Sequence, residues 1–289
     1  MGDSYSSGEG TGVYYAGTDT DSNQCHRSPE AYGPMLFEST RGLKPLSFVA
    51  CSGAVTRDFY NASAKNPSEG PQLDALQTRT KAVTLTIGGN DVVFEQVAKA
   101  CVESIRTPGR FGCADDDDLN AAIDAGLAAL AGKGTTSAAA PSIVPIKQIL
   151  EDISDKSPRA KIYLAGYPEL FGDSQTHFSV DQTAPSGSSC VVIPAAAGRV
   201  DLDDTKFINE RTRELNQVMS TAVKEARREG IRATYVPPST FDGHGLCDDE
   251  GSWIQPVLLE TSGAIATESL HPTSEGQNGY QRAFERAGF

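Results

Sequence analysis

Short apolar runs alternate with longer segments of helical period along this chain. Leu46-Ser47-Phe48-Val49-Ala50-Cys51, Ala82 through Ile87, Lys161 through Ala165 and Ile231 through Val236 are rich in β-branched and aromatic residues. The last three run directly into Gly88-Gly89, Gly166 and Pro237-Pro238. Runs of this length and punctuation predict buried parallel strands. Between them, apolar residues at three- and four-residue spacing predict helices over about 92–106, 119–131, 143–153 and 205–229, with Gly230 as the stop. Ser28-Pro29-Glu30 reads as a further helix start, with serine as N-cap and proline at the first helical position. Strands alternating with helices predict an α/β fold, an open sheet covered on both faces. Ligands in such sheets bind at the carboxyl ends of the strands. Residues 8–24 and 173–204 read as long loops, and no linker divides the chain, so one domain over 1–289 is expected.

Composition narrows the class. The 289 residues carry 25 Lys and Arg against 38 Asp and Glu, a formal charge of −13, which repels phosphate backbones and argues against nucleic acid as a partner. No uncharged apolar run approaches the roughly 20 residues that span a bilayer. Six cysteines, Cys25, Cys51, Cys101, Cys113, Cys190 and Cys247, stand without a C-x-x-C pair. Three disulfides and an oxidising compartment are the expectation, with buried free thiols as the alternative. Pairing stays open on spacing alone. No secretory signal segment is visible at the start of the chain.

Several chemistries lack their motif. There is no G-x-x-x-x-G-K-[ST], no H-E-x-x-H and no G-x-S-x-G, and Gly8-Glu9-Gly10-Thr11-Gly12 lacks the third glycine of a dinucleotide fingerprint. The run Asp115–Asp118 is better read as acidic residues at a helix start than as a calcium site. His26 and His177 read as loop residues. Asp242, His244 and Trp253 cluster in sequence around Cys247, where they either shape a pocket or pack on a disulfide.

Three segments hold the parts of a hydrolytic site: Gly2-Asp3-Ser4-Tyr5-Ser6-Ser7-Gly8, Ile87-Gly88-Gly89-Asn90-Asp91 and Glu268-Ser269-Leu270-His271-Pro272. A serine hydroxyl needs an adjacent base, and a tetrahedral oxyanion needs donors such as a side-chain amide. Singly, each segment is also a common turn. Together and in this order they resemble the SGNH hydrolases, also called GDSL esterases and lipases, in their secreted actinobacterial branch. The resemblance spans nearly the whole chain and includes Ala50-Cys51-Ser52-Gly53-Ala54 as a further block.

The resemblance implies a three-layer α/β/α sandwich with a mostly parallel, flavodoxin-like sheet. It implies Ser4 as nucleophile, His271 as base, and the Ser4 and Gly53 N–H groups with the Asn90 side chain as oxyanion hole. It also implies the pairing Cys25–Cys51, Cys101–Cys113 and Cys190–Cys247, and secretion. The expected activity is hydrolysis of carboxylic esters through an acyl-enzyme by a monomer, with no metal or organic cofactor and a small-molecule, lipid or carbohydrate ester as substrate. A carbohydrate O-deacetylase on the same site and a non-catalytic binding module are the alternatives. No long apolar lid is evident, which favours short or soluble acyl esters.

Two departures stand out. The family usually has aspartate three residues before the histidine, and here it is Glu268, expected either to orient His271 or to leave that role to a main-chain carbonyl. In the family's fold a strand also precedes Gly-Asp-Ser inside the sheet. Met1 stands at its last position, so that strand and the signal peptide are expected to be missing from this chain.

Overall fold

The computed structural model describes residues 1–40, 46–106, 112–134, 143–172, 191–193, 198–199, 202–248 and 250–289. Three parallel strands form the central sheet: β1 (Ala82–Leu85), β2 (Lys161–Ala165) and β5 (Ala233–Val236), in the order β1-β2-β5. Two shorter strands, β3 (Val191–Ile193) and β4 (Gly198–Arg199), form a separate antiparallel pair within the stretch expected to be all loop.

The alternation along β2 shows why the sheet is a middle layer. Ile162 and Leu164 join one buried apolar cluster, while Tyr163 and Ala165 join the other. Successive strand residues point to opposite faces, so both faces are covered. One cover is α5 (Ile146–Lys156) with α6 (Leu202–Arg228). In α5 the buried residues Ile146, Ile149, Leu150 and Ile153 fall at i, i+3, i+4 and i+7, the apolar stripe of a surface helix. In α6, Leu215, Met219, Ala222, Val223 and Ala226 do the same. The other cover is α2 (Tyr32–Ser39) with α7 (Ser274–Arg286), where Tyr32, Leu36, Tyr280 and Phe284 are buried together. α3 (Phe94–Arg106) and α4 (Asp117–Leu130) contribute Val97, Val102, Leu119 and Ile123 to that second cluster. The result is the expected three-layer α/β/α arrangement.

Helix boundaries follow local capping. The Asp116 carboxylate accepts from Leu119 N at 3.0 Å and starts α4. This places the acidic run at a helix N-terminus, where carboxylates are favoured. Thr273 caps α7 by accepting from Gly276 N, and Gly230, at φ +90°, closes the turn after α6. Two expectations are corrected. Ser28 does not begin a helix: its hydroxyl and carbonyl accept from Glu30 N and Ala31 N in a turn, and α2 starts at Tyr32. Leu46–Cys51 is not a strand: among the described residues, the main-chain pairing along it is Cys51 N donating to Gly2 O. Met1–Asp3 lie along β1, with Met1 N on Thr84 O at 3.1 Å and Asp3 N on Thr86 O at 3.0 Å.

Cys25–Cys51 and Cys101–Cys113 are disulfides, as expected. Cys247 is also disulfide-bonded, and Cys190, its expected partner, lies outside the described residues, as does His177. The first bridge closes a 26-residue loop. Closing such a loop is worth about 3–4 kcal/mol in the chain-entropy account. Denaturant titration of Cys25→Ala/Cys51→Ala should show a loss of that order, and a stability equal to the parent's would refute the estimate.

Candidate active site

Ser4 opens a single helical turn, α1 (Ser4–Ser7), at the carboxyl edge of the sheet. Asp3 caps this turn through Tyr5 N and Gly8 ends it in the left-handed region, at φ +92°. The turn is anchored from below. Asp3 is buried, accepts from Thr86 Oγ1 at 2.6 Å and also accepts from Tyr167 Oη. Burial pushes its carboxyl up to about 6, against the pull of those hydrogen bonds. Ser6 Oγ takes the Thr86 N–H at 2.8 Å, and Asp3 N takes the Thr86 carbonyl. This is why β1 ends at Leu85, before the predicted Thr86-Ile87: the backbone groups of Thr86 hold α1. At Gly2, at φ +119°, a Cβ would stand 2.3 Å from Thr86 O, so only glycine permits this approach.

His271 arrives from the other end of the chain on a clamped loop. Leu270 N donates to Gln255 O, Gln255 N donates to His271 O, and Tyr5 Oη donates to Leu270 O at 2.9 Å. The imidazole Nε2 lies 2.8 Å from Ser4 Oγ. Its Nδ1 lies 3.0 Å from the Ser269 carbonyl oxygen. A carbonyl only accepts, so Nδ1 carries the proton and Nε2 is left as acceptor for the Ser4 hydroxyl. Burial lowers the His271 pKa from the ordinary 6.5, with the Glu9 carboxylate and the Ser269 carbonyl opposing the shift. The ring therefore stays neutral, the form a base needs, to lower pH than a solvated histidine does.

Glu268 is not placed as an orienting acid. Nδ1 is already taken by Ser269 O, and the Glu268 carboxylate reaches Thr267 Oγ1 at 3.5 Å instead. Of the two alternatives in the sequence, the geometry is that of the main-chain carbonyl.

Three residues with a donor to offer, Ser4, Gly53 and Asn90, line the same cleft as the histidine. Asn90 follows β1 through the tight Gly88-Gly89 turn, and its Nδ2 donates to Ala54 O at 2.9 Å. An amide carries two N–H donors, so one remains for a ligand. Gly53 adopts φ +77° on a loop held by Ser52 N donating to Cys25 O. Among the described residues, neither the Ser4 N–H nor the Gly53 N–H has a protein acceptor. Next to Asn90, Asp91 accepts from Thr56 N and Oγ1, which fixes the turn from behind. Ser4, Gly53, Asn90 and His271 all line one cleft of about 360 Å³.

Other residues at the site carry no motif. Tyr5 and Tyr167 support α1 and the histidine loop; only the Gly-Asp-Ser-Tyr run hinted at the first. His26, expected as a plain loop residue, lines the cleft with Nδ1 2.7 Å from the fully buried Glu9. The one signal was a lone acid inside the glycine-rich Gly8–Gly12 run. His244 stacks on Trp253 at 3.6 Å, Trp253 also meets Phe241 and Arg282, and Asp242, His244 and Trp253 are not among the residues that line the cleft. Among the described residues, no group of three or more His, Cys, Asp or Glu is arranged to hold a metal ion.

An α/β/α sandwich with a serine and a histidine in contact, in a cleft also lined by Gly53 and Asn90, defines a serine-hydrolase class of site. The profile of the GDSL-like lipase/acylhydrolase family matches residues 1–278, and the chain belongs to that family. It is a carboxylic ester hydrolase of the actinobacterial kind. It is 31% identical to Lipase 2 of Streptomyces coelicolor over 281 residues, covering 96% of this chain and 80% of that protein. It is 29% identical to Lipase 1 of the same organism, covering 96% and 81%. The extracellular lipase of Streptomyces rimosus superposes with a TM-score of 0.68 at 27% identity, over 99% of this chain and 97% of that one. The phospholipase A1 of Streptomyces albidoflavus superposes with a TM-score of 0.67 at 26% identity, over the same shares.

Proposed function

We propose that this protein hydrolyses acyl esters through an acyl-enzyme on Ser4, with a Ser4–His271 pair oriented by the Ser269 carbonyl in place of a triad acid. The observation that supports this most is the 2.8 Å contact between His271 Nε2 and Ser4 Oγ, with Nδ1 committed to Ser269 O. His271 takes the Ser4 proton as Oγ adds to the ester carbonyl. The oxyanion receives hydrogen bonds from Ser4 N–H, Gly53 N–H and the free Asn90 Nδ2–H. His271 then passes the proton to the departing alcohol. In the second half, water loses a proton to His271 and attacks the acyl carbonyl, returning Ser4. A neutral carbonyl fixes tautomer and ring angle but adds no counter-charge to the imidazolium. The carboxylate that acts most strongly on the ring is Glu9, itself held low in pKa, against the pull of burial, by His26 and His271.

The acyl chain fits the apolar wall of the cleft given by Val102, Leu170, Val257, Ile265 and Leu270, which belong to or pack against one buried cluster. That wall favours an aliphatic acyl group over the bare acetyl of a sugar deacetylase. The disulfides and the extracellular lipase among the relatives support export of a single-domain enzyme.

Stopped-flow mixing with p-nitrophenyl butyrate tests the scheme. A burst of p-nitrophenol equal to the enzyme concentration is expected before the steady state. In Asn90→Ala the rate of acyl-enzyme formation should fall by about 10²-fold or more, as for loss of one oxyanion donor. A covalent intermediate that never forms, or an undiminished rate in the variant, would contradict this reading.

A further inference from the structure

The cleft has a second, polar end that ester hydrolysis alone does not require. Gln24, Ser52, Lys65 and Asn66 line it beside Cys51, with Gln24 N donating to Asn66 Oδ1 at 2.6 Å and Asn66 Nδ2 to Cys51 Sγ. The lining residues Val102, Leu170, Val257, Ile265 and Leu270 belong to or pack against a different apolar cluster from the one that holds Cys51. α3 lines the same cleft. Phe94, Ala98 and Val102 recur at i, i+4 and i+8 and give it an apolar stripe facing the cleft. Glu95 and Lys99 form the adjacent stripe, also on the cleft.

Lys65, on the loop after Gly53, pairs with α3. Its Nζ lies 2.9 Å from Glu95, and Lys99 Nζ lies 2.7 Å from the other oxygen of the same carboxylate. Two ammonium groups thus share one carboxylate. Hydrogen bonds from Lys99 and Lys65 hold the Glu95 carboxyl down to about 2, so the acid is ionised at any working pH. The two ammonium groups and their shared carboxylate sum to one positive charge, with the buried Asp58 as a further acid that feels Lys65, in a chain whose formal charge is −13.

Its position matters more than its sign. The Lys65 stem lies over Gly53: a Cβ built on that glycine would stand 2.8 Å from Lys65 Cδ and 3.1 Å from Nζ. The ammonium is therefore beside the loop that faces the reacting carbonyl. The other ionisable pair at this end, Glu9 with His26, is satisfied internally at 2.7 Å. Lys65 and Lys99 are 59% and 56% exposed, which leaves both tips free to turn toward a ligand.

We propose that Lys65, held with Lys99 on Glu95, forms an anion subsite at the alcohol end of the cleft, and that this enzyme prefers acyl esters whose alcohol carries a phosphate or carboxylate. The proposal rests on the Ser4–His271 reading, which places the acyl carbonyl beside Gly53. The lysines attract the anionic alcohol and the apolar wall takes the acyl chain, so the two fix the direction in which the ester lies. Exposed charges are screened, so the preference is expected to weaken with salt.

The test uses two butyrate esters of a nitrophenol, one neutral and one bearing a ring carboxylate. The quantity read is the ratio of their kcat/KM values, anionic over neutral. Lys65→Met keeps the stem over Gly53 and removes the charge; the ratio should fall by about tenfold. Glu95→Gln frees both lysines from their shared carboxylate, and the ratio should rise. A ratio unchanged in Lys65→Met, including equal losses on both esters, overturns the proposal. Repeating the comparison with phosphatidylglycerol against phosphatidylcholine in mixed micelles places the anion on a lipid. A preference seen only there and indifferent to Lys65→Met would belong to the micelle surface and would also overturn the subsite. Absence of any hydrolysis of the neutral ester by the parent enzyme is a different failure, because it removes the Ser4–His271 reading itself.

Discussion

Ser4→Ala is expected to lower kcat for a p-nitrophenyl ester by about 10⁴-fold or more and to leave the fold intact. The change removes the one atom, Oγ, that sits 2.8 Å from His271 Nε2. It spares what builds the turn. α1 is capped by the Asp3 carboxylate and by Gly8, and the Ser4 main chain, including the carbonyl that accepts from Ser7 Oγ, is untouched. Although Ser4 is buried, the change removes only a hydroxyl that points to His271, so circular dichroism should match the parent and the melting temperature should move by no more than a few degrees. A variant that keeps a tenth of the parent kcat would remove Ser4 from the chemistry.

His271→Ala is expected to cost about as much, and Ser4→Ala/His271→Ala no more than either alone, because the two act as a unit. Glu268→Gln supplies the contrast. Its carboxylate makes no hydrogen bond to the ring, and the position it would fill is held by Ser269 O at 3.0 Å. Its loss should change kcat/KM by no more than about threefold, the scale of a screened surface charge. The pH profile carries a second sign. Burial lowers the His271 pKa, so the neutral base persists below the ordinary 6.5. The acid limb of kcat/KM should accordingly lie below pH 6.5, with activity lost as pH falls through the lowered pKa and the ring takes up its proton. A large effect of Glu268→Gln, or an acid limb above that value, would return the acid to the site.

The parts of this fold that could be read from sequence are those where one periodicity acts alone. β2 is legible to the residue because every position after the exposed Lys161 is apolar or aromatic and Gly166 ends it. α5 and α6 were legible because their apolar stripes repeat at helical spacing, although each starts or ends a few residues from the pattern. The failures share a cause: backbone groups taken by distant partners. Thr86-Ile87 continues the apolar run of β1, yet the Thr86 N–H and carbonyl are used by Ser6 and Asp3. Leu46–Cys51 has the composition of a strand, and composition cannot say whether a neighbour is present to pair with it. Ser28-Pro29-Glu30 has every residue of a helix start, and its hydrogen bonds close a turn instead.

At the site, residue types were legible and orientations were not. Ser4, Asn90 and His271 could be found because their turns have recognisable residues at fixed offsets. That His271 turns Nδ1 toward a carbonyl two residues back, with Leu270 at φ +62°, depends on the backbone path through Gln255 and Tyr5, which no local pattern encodes. Lys65 and Glu95 lie 30 residues apart and meet only because α3 and the loop after Gly53 face the same cleft.

The most direct measurement is covalent labelling with a fluorophosphonate, followed by peptide mass mapping of the modified protein. The account predicts one adduct per chain, on Ser4, forming with the pH dependence of a base that titrates below pH 6.5 and absent in His271→Ala. An adduct on any other serine, or labelling of Ser4 that proceeds equally well without His271, would contradict it.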